Sequence, residues 1–116
     1  MKIAQGKIHM IRGDSAELLV SCKQEDGTVR KFETGDNIYF TVKQYTNVDE
    51  IILQKKITSF IDGAALISIL PEDTKGLMFV ERLVLKYDVQ LSARDGRVMT
   101  IVPPNDFIVE GEVTFE

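Results

Sequence analysis

Three Asp-Gly pairs lie between runs of alternating apolar and polar residues and constrain the fold of this chain most strongly: Asp26-Gly27, Asp62-Gly63 and Asp95-Gly96. An Asp-Gly pair tolerates the positive φ angles of a two-residue type I′ turn, so it is the strongest short-range signal for a β-hairpin. Two Gly-Asp pairs add turn signals ahead of further alternating runs, at Gly13-Asp14 and Gly35-Asp36. The recurrence of these turns predicts an all-β domain.

The size and composition of the chain fit one domain over residues 1–116. Its residues are 44% hydrophobic and 28% charged, which are ordinary values for a globular domain with a single core. No apolar run approaches the roughly 18 residues of a membrane span. Residues 1–7 contain no apolar stretch of the kind that a secretory signal needs. We therefore expect a protein that folds in a cytoplasm and does not insert into a membrane.

Hydrophobic alternation predicts about seven to nine strands and no long helix. The clearest strands are residues 37–43 and 83–91, where apolar residues keep a period of two. Residues 71–76 are predicted to form one helical turn, because Pro71 suits a first helical position and Gly76 suits a stop. The predicted fold is an immunoglobulin-like antiparallel β-sandwich.

Two of the turn signals lead to specific expectations about strand pairing. Asp62-Gly63 is expected to join residues 49–60 and 64–70 as a paired hairpin. Pro103-Pro104 is expected to end the strand that starts at Arg97, because proline cannot donate to a strand ladder.

Composition and spacing argue against catalytic, metal and nucleic-acid sites. The formal charge of −4 disfavours nucleic acid, which needs clustered Lys and Arg. The single cysteine, Cys22, excludes an internal disulfide and fits a small buried hydrophobe. His9, the only histidine, lacks neighbouring ligands and is expected at the surface. Acidic pairs such as Glu72-Asp73 suit turns and helix ends better than calcium, so we expect no enzyme, no cofactor and no metal.

The tyrosines are the candidates for a binding role. Tyr39 opposes the Ile38/Phe40 face, so it is either a cross-strand packing residue, an anchor for another protein or, together with Tyr45, a glycan contact. There is no tryptophan to strengthen the glycan interpretation. Tyr87 is in phase with the apolar face and is predicted to be a buried phenol whose hydroxyl reaches a backbone group near the 71–76 turn.

Eight sequence blocks form an ordered series along the chain: MIRGDSA at 10–16, GDNIYFTVK at 35–43, QKKI at 54–57, LPEDT at 70–74, YDVQL at 87–91, DG at 95–96, TIVPP at 100–104 and GEVT at 111–114. Together these blocks resemble a family of small phage and prophage proteins related to the N-terminal domain of siphophage baseplate upper proteins. They span nearly the whole chain. The resemblance implies an immunoglobulin-like building block of a tail or baseplate, made in the bacterial host and without catalytic activity.

One stretch departs from that pattern. Residues 77–85 replace a short glycine-containing connection with a longer, apolar one that includes Met78 and Phe79. An apolar stretch of this kind marks either a surface for a partner or a bulged core strand. Met78, Phe79 and Tyr39 are therefore the candidate positions for contacts with further copies of the chain or with neighbouring tail proteins.

Two alternatives to an assembly role stay open at this point. The first is a module that recognises a host-surface carbohydrate or receptor through Tyr39 and Tyr45. The second is a small glycan-active enzyme, whose paired acids would need a cleft that a compact sandwich seldom offers.

Overall fold

The computed structural model describes residues 1–4 and 6–114. Over these residues the chain forms ten strands and one short helix: β1 (Lys2–Ala4), β2 (Lys7–Ile11), β3 (Ala16–Val20), β4 (Cys22–Lys23), β5 (Val29–Arg30), β6 (Asn37–Lys43), β7 (Leu53–Ile57), β8 (Ala65–Ile69), α1 (Pro71–Lys75), β9 (Arg82–Ser92) and β10 (Val98–Glu110). The prediction of an all-β fold with one helical turn near 71–76 is confirmed.

Six strands form the larger sheet, in the order β1-β2-β10-β9-β6-β7. Its centre is built by β6, β9 and β10. β6 and β9 bury alternate residues on one face, whereas β10 buries three successive residues, 107–109. The pairing of β2 with β10 is parallel, with Ile8 opposite Phe107 and Met10 opposite Val109. The expectation of a wholly antiparallel sandwich was therefore wrong at this pair, because the first and last long strands lie side by side with the same polarity.

A second layer consists of the two-stranded sheet β3-β8, and a short ribbon, β4-β5, lies beside it in sequence. Inward residues of both layers form one core cluster, whose largest fully buried members are Phe40, Phe107, Ile8, Ile38, Ile67, Ile69, Leu85 and Leu91. Each such side chain contributes about 1.5–3 kcal/mol relative to an exposed position. Phe40, Tyr87 and Phe107 contact one another with ring centroids 5.6–6.4 Å apart, so aromatic packing stabilises the middle of the larger sheet.

The turn at Asp62-Gly63 is the only one of the three Asp-Gly pairs in which both residues have positive φ, at 50° and 78°. Ile61 and Ala64 donate to each other's carbonyls across it, both at 2.9 Å, as a type I′ turn requires. However, β7 pairs with β6 whereas β8 pairs with β3. The predicted hairpin between these strands was wrong, because the turn carries the chain from one sheet to the other.

The other two Asp-Gly pairs close hairpins with a different turn. In each, only the glycine has positive φ, 88° at Gly27 and 94° at Gly96. The glycine N–H donates to the residue three positions before it, at Gln24 and Ala93. This is the three-residue connection with a type I turn followed by a left-handed residue, and it joins β4 to β5 and β9 to β10.

The prolines at 103 and 104 do not end a strand. β10 continues through them to Glu110, with shifts in its register against β9 between Thr100 and Val102 and between Val102 and Asn105. β2 pairs with β10 only over residues 107–110. On that side the prolines have no neighbouring strand, so their missing N–H groups cost no ladder bond, and the chain bulges instead of stopping.

The short helix is held by contacts with β7 and with the turn between β2 and β3. Asp73 Oδ2 accepts the Leu70 N–H at 2.7 Å and lies 2.8 Å from Lys55 Nζ on β7. Thr74 is buried, and its Oγ1 accepts the Gly13 N–H at 2.8 Å. These contacts fix the crossover between β8 and β9.

Candidate functional site

Tyr39 lies on the outer face of the larger sheet, on the side opposite Ile38 and Phe40, as its phase in β6 predicts. Its ring is half-buried, and Lys56 Nζ on the neighbouring strand β7 lies 5.8 Å from the ring centroid. Lys56 is also the residue directly opposite Tyr39 in the β6–β7 register. The tyrosine therefore has a cross-strand packing partner of its own.

A groove of about 220 Å³ lies further along the same face. It is lined by Thr41, Lys43, Tyr45, Thr46, Ile51, Gln54, Lys86, Tyr87, Asp88, Gln90 and Pro104. Tyr45, which is 58% exposed, comes from the loop that follows β6, whereas Tyr39 is not one of the lining residues. The structure therefore separates the two predicted glycan contacts, and only Tyr45 lies at a concave site.

The floor of the groove contains one carboxylate with few internal partners. Asp88, opposite Thr41 in the register of β6 and β9, forms no hydrogen bond or ion pair with any described residue. Partial burial raises the pKa of Asp88, and the positive charge of Lys43 acts in the opposite direction. Sequence patterning placed Asp88 only as a polar residue of a strand, because nothing local marks it as the floor of a groove.

Both lysines of the groove and Gln54 already have partners. Lys43 Nζ donates to the Val48 carbonyl at 2.9 Å, and Gln54 Nε2 donates to Thr41 Oγ1 at 3.0 Å. Lys86 forms an ion pair with Asp106, which also lies 3.8 Å from Lys7. Both lysine ammonium groups of the groove therefore have a partner within the chain. The Asp88 carboxylate in the floor has no hydrogen bond or ion pair among the described residues.

The apolar segment 77–80 divides into inward and outward residues. Met78 is 90% exposed and Val80 is 94% exposed. Leu77 and Phe79 are partly buried against the core, and the guanidinium of Arg12 lies 4.6 Å from the centroid of the Phe79 ring. Met78 is thus an accessible contact position, whereas Phe79 is turned inward and covered by Arg12.

Arg12 also holds the backbone of this segment. Its Nη1 donates to the Leu77 carbonyl at 2.8 Å and its Nε donates to Glu112 Oε1 at 2.9 Å. Gly111 N–H donates to the Glu81 carbonyl at 3.0 Å. Neither the exposure of Val80 nor the role of Arg12 follows from the local sequence, since both depend on strand ends distant in sequence.

The smaller sheet presents a second apolar surface. Leu19 is 63% exposed and lies opposite Leu66 in the β3–β8 register, so the two share the outer face of this sheet. Among the described residues neither β3 nor β8 has a further strand partner.

The other residues considered for a site, Cys22 and His9, lie in the core and beside an acidic residue respectively. Cys22 is buried in the core cluster, as predicted. His9 is partly exposed, with Nδ1 3.8 Å from Glu110 Oε1. No group of three or more histidine, cysteine or acidic side chains able to hold a metal ion occurs in the described part of the chain.

Tyr87 is buried, as predicted, and burial raises the pKa of its phenol. Its hydroxyl donates to the Gly6 carbonyl and not to the 71–76 turn. That part of the prediction was wrong, because the phenol reaches the connection between β1 and β2.

No protein-family model, curated protein or solved structure matches this chain. No helix within residues 1–4 and 6–114 is long and apolar enough to cross a membrane.

Proposed function

We propose that this chain is a non-enzymatic structural module of a phage or prophage tail or baseplate, which acts by assembling with further copies of itself or with neighbouring tail proteins. One observation carries the proposal. Met78 and Val80 project almost entirely into solvent from a backbone segment that Arg12 and Gly111 hold in place. Exposed apolar side chains on an ordered segment are typical of a surface that a partner covers.

The energetics of such a contact favour association. Burial of a methionine or valine side chain contributes about 1.5–3 kcal/mol. Ordering of a flexible segment opposes binding, at roughly 0.5–1.5 kcal/mol for each immobilised side chain. The hydrogen bonds from Arg12 to Leu77 and Glu112 already restrict the segment, so less of this entropy is lost on binding.

The immunoglobulin-like character is part of the same proposal. In this proposal the neighbouring strands β10-β9-β6-β7 take the places of strands G, F, C and C′ of a variable-type immunoglobulin domain, and β3-β8 take those of strands B and E. The blocks that resemble the baseplate family fall on the elements of this arrangement, among them β6, β9 and the start of α1. The correspondence supports the assignment of the chain to that family of building blocks.

Multi-angle light scattering of the purified chain tests the assembly role, alone and mixed with the products of adjacent reading frames. We expect a concentration-dependent oligomer or a complex with one neighbour. The double variant M78S/V80T should weaken that association at least about tenfold. Val29→Thr is the matched control, because Val29 is an exposed valine on β5 outside the 77–80 segment.

Two results would contradict the proposal. One is a chain that stays monomeric at high concentration and binds none of its neighbours. The other is an association that M78S/V80T and Val29→Thr affect equally.

A further inference from the structure

The groove on the outer face of the larger sheet has a polar chemistry that the assembly role does not use. Its floor contains Asp88 and Gln90, two residues apart on β9 and therefore on one face of the strand. Neither side chain forms a hydrogen bond with any described residue. A partly desolvated carboxylate without a donor is unfavourable, so this floor is suited to a ligand that brings hydrogen-bond donors.

The neighbouring side chains restrict which donors fit. Gln54 uses its Nε2 on Thr41, which leaves its Oε1 as an acceptor. Lys43 and Lys86 line the same groove, and their positive charges disfavour a cationic ligand. The negative charge of Asp88 in the floor disfavours an anionic one. Neutral hydroxyl groups fit these surroundings. They donate to carboxylate and amide oxygens, and they carry no charge that the lysines or Asp88 would repel.

The rim of the groove adds an aromatic surface. Tyr45 is exposed and lies in the loop after β6, and Ile51 from the segment before β7 also lines the groove. An aromatic ring beside a group of hydrogen-bond acceptors matches a ligand with an apolar face and several hydroxyl groups. A pyranose ring has both features.

We infer that this groove binds a neutral saccharide unit, with Asp88 and Gln90 accepting or exchanging hydrogen bonds with its hydroxyl groups and Tyr45 packing against its ring. A carboxylate that accepts from hydroxyls forms short, charge-assisted hydrogen bonds, roughly twice as strong as neutral ones. Asp88 is therefore the residue on which binding depends most. The inference is independent of the assembly role, since Met78 and Val80 do not line the groove.

Nuclear magnetic resonance titration of the ¹⁵N-labelled chain tests this inference. The probes are methyl β-galactoside, methyl α-glucoside and methyl N-acetylglucosaminide, with ethanolamine and inorganic phosphate as charged comparisons. We expect at least one glycoside to shift the backbone resonances of residues 41–45 and 86–90, with a dissociation constant on the order of 1 mM. Asp88→Asn and Tyr45→Ala should each weaken binding about tenfold or more.

Tyr39→Ala is the matched control, because Tyr39 is an aromatic residue of the same sheet face that does not line the groove. It should leave the titration unchanged. The ¹⁵N spectra of all three variants report whether the fold is intact, and Asp88→Asn keeps nearly the same side-chain volume.

The saccharide assignment is overturned if no glycoside shifts these resonances. It is equally overturned by shifts that persist in both Asp88→Asn and Tyr45→Ala, or by ethanolamine or phosphate binding at the groove in place of the glycosides. Failure here leaves the light-scattering test of assembly unaffected.

Discussion

The carboxylate of Asp36 lies 3.1 Å from Nη1 of Arg30, although only 1% of Asp36 is exposed. The same carboxylate accepts the backbone N–H groups of Glu33 and Arg94, each at 3.0 Å. One acidic side chain therefore connects the β4-β5 ribbon, the turn before β6 and the turn between β9 and β10. These hydrogen bonds favour the charged form, and the one from Arg30 contributes most.

The pH dependence of stability should report this interaction. The pKa of Asp36 is lowered from 3.8 to about 2 in the folded chain. A lowered carboxyl pKa contributes stability that is complete above the unfolded value and is lost as the pH falls through the folded value. We expect Asp36→Asn to lose about 2 kcal/mol at pH 7 by urea unfolding, with a smaller loss near pH 2.

Asp62→Asn is the control for that experiment. It makes the same chemical change at an exposed turn whose positive φ asparagine also tolerates. A loss at Asp36→Asn that is no larger than at Asp62→Asn, or that does not depend on pH, would count against a charged, buried Asp36.

Replacement of Arg12 by lysine should loosen the 77–80 segment. Lysine cannot reproduce the planar donors that reach Leu77 and Glu112 or the stacking on Phe79. We expect a loss of roughly 1–2 kcal/mol in the free energy of unfolding and faster amide exchange over residues 77–81. Arg97→Lys, in an exposed pair with Asp95, should change stability by less than about 0.5 kcal/mol. If Arg12→Lys and Arg97→Lys changed the free energy of unfolding equally, Arg12 would have no special role in holding the 77–80 segment.

Alanine at Gly63 should be more costly than alanine at another glycine with the same backbone conformation. A Cβ at Gly63 would lie 2.6 Å from the Cβ of Lys31, whereas a Cβ at Gly27 would meet no atom within 4 Å. Both glycines have positive φ, at 78° and 88°. Thermal and urea unfolding should give about 1 kcal/mol for Gly27→Ala and about 2 kcal/mol or more for Gly63→Ala. Similar losses would mean that only the backbone conformation matters.

Removal of the Tyr87 hydroxyl tests its bond to Gly6. Tyr87→Phe keeps the ring contacts with Phe40 and Phe107 but loses the donor to the Gly6 carbonyl. We expect a loss of about 1 kcal/mol in the free energy of unfolding, measured in urea. Tyr45→Phe should have no effect on stability, because Tyr45 is exposed. An unchanged midpoint for Tyr87→Phe would show that this bond adds nothing to stability.

The Asp-Gly turns illustrate how far the sequence could be interpreted. Local backbone preference correctly marked all three as sharp turns, and the type I′ geometry holds at Asp62-Gly63. Preference within two residues contains no information about which strands lie beside the turn. The pairing of β7 with β6 and of β8 with β3 therefore could not be obtained from it, and the hairpin prediction failed there.

At the candidate sites, too, the sequence predicted the face on which a residue lies but not its distant neighbours. Alternation correctly placed Tyr39 on the outer face of β6 and Cys22 in the core. It could not place Asp88 in the floor of a groove, because the groove is formed by β6, β9 and the loop with Tyr45 together. Arg12 was missed for a similar reason, since its partners Leu77 and Glu112 are 65 and 100 residues away in sequence.

The sequence by itself determined the all-β class, the turns, the helical turn at α1 and the inward faces of β6 and β9. These features depend on backbone preferences and on a period of two that neighbouring residues specify. Only the tertiary structure decided the parallel contact of β2 with β10, the crossing between sheets at Asp62-Gly63, and the division of residues 77–80 into inward and outward side chains. Those features depend on which distant segments bury each other's apolar surface, and a local pattern fits several such arrangements equally well.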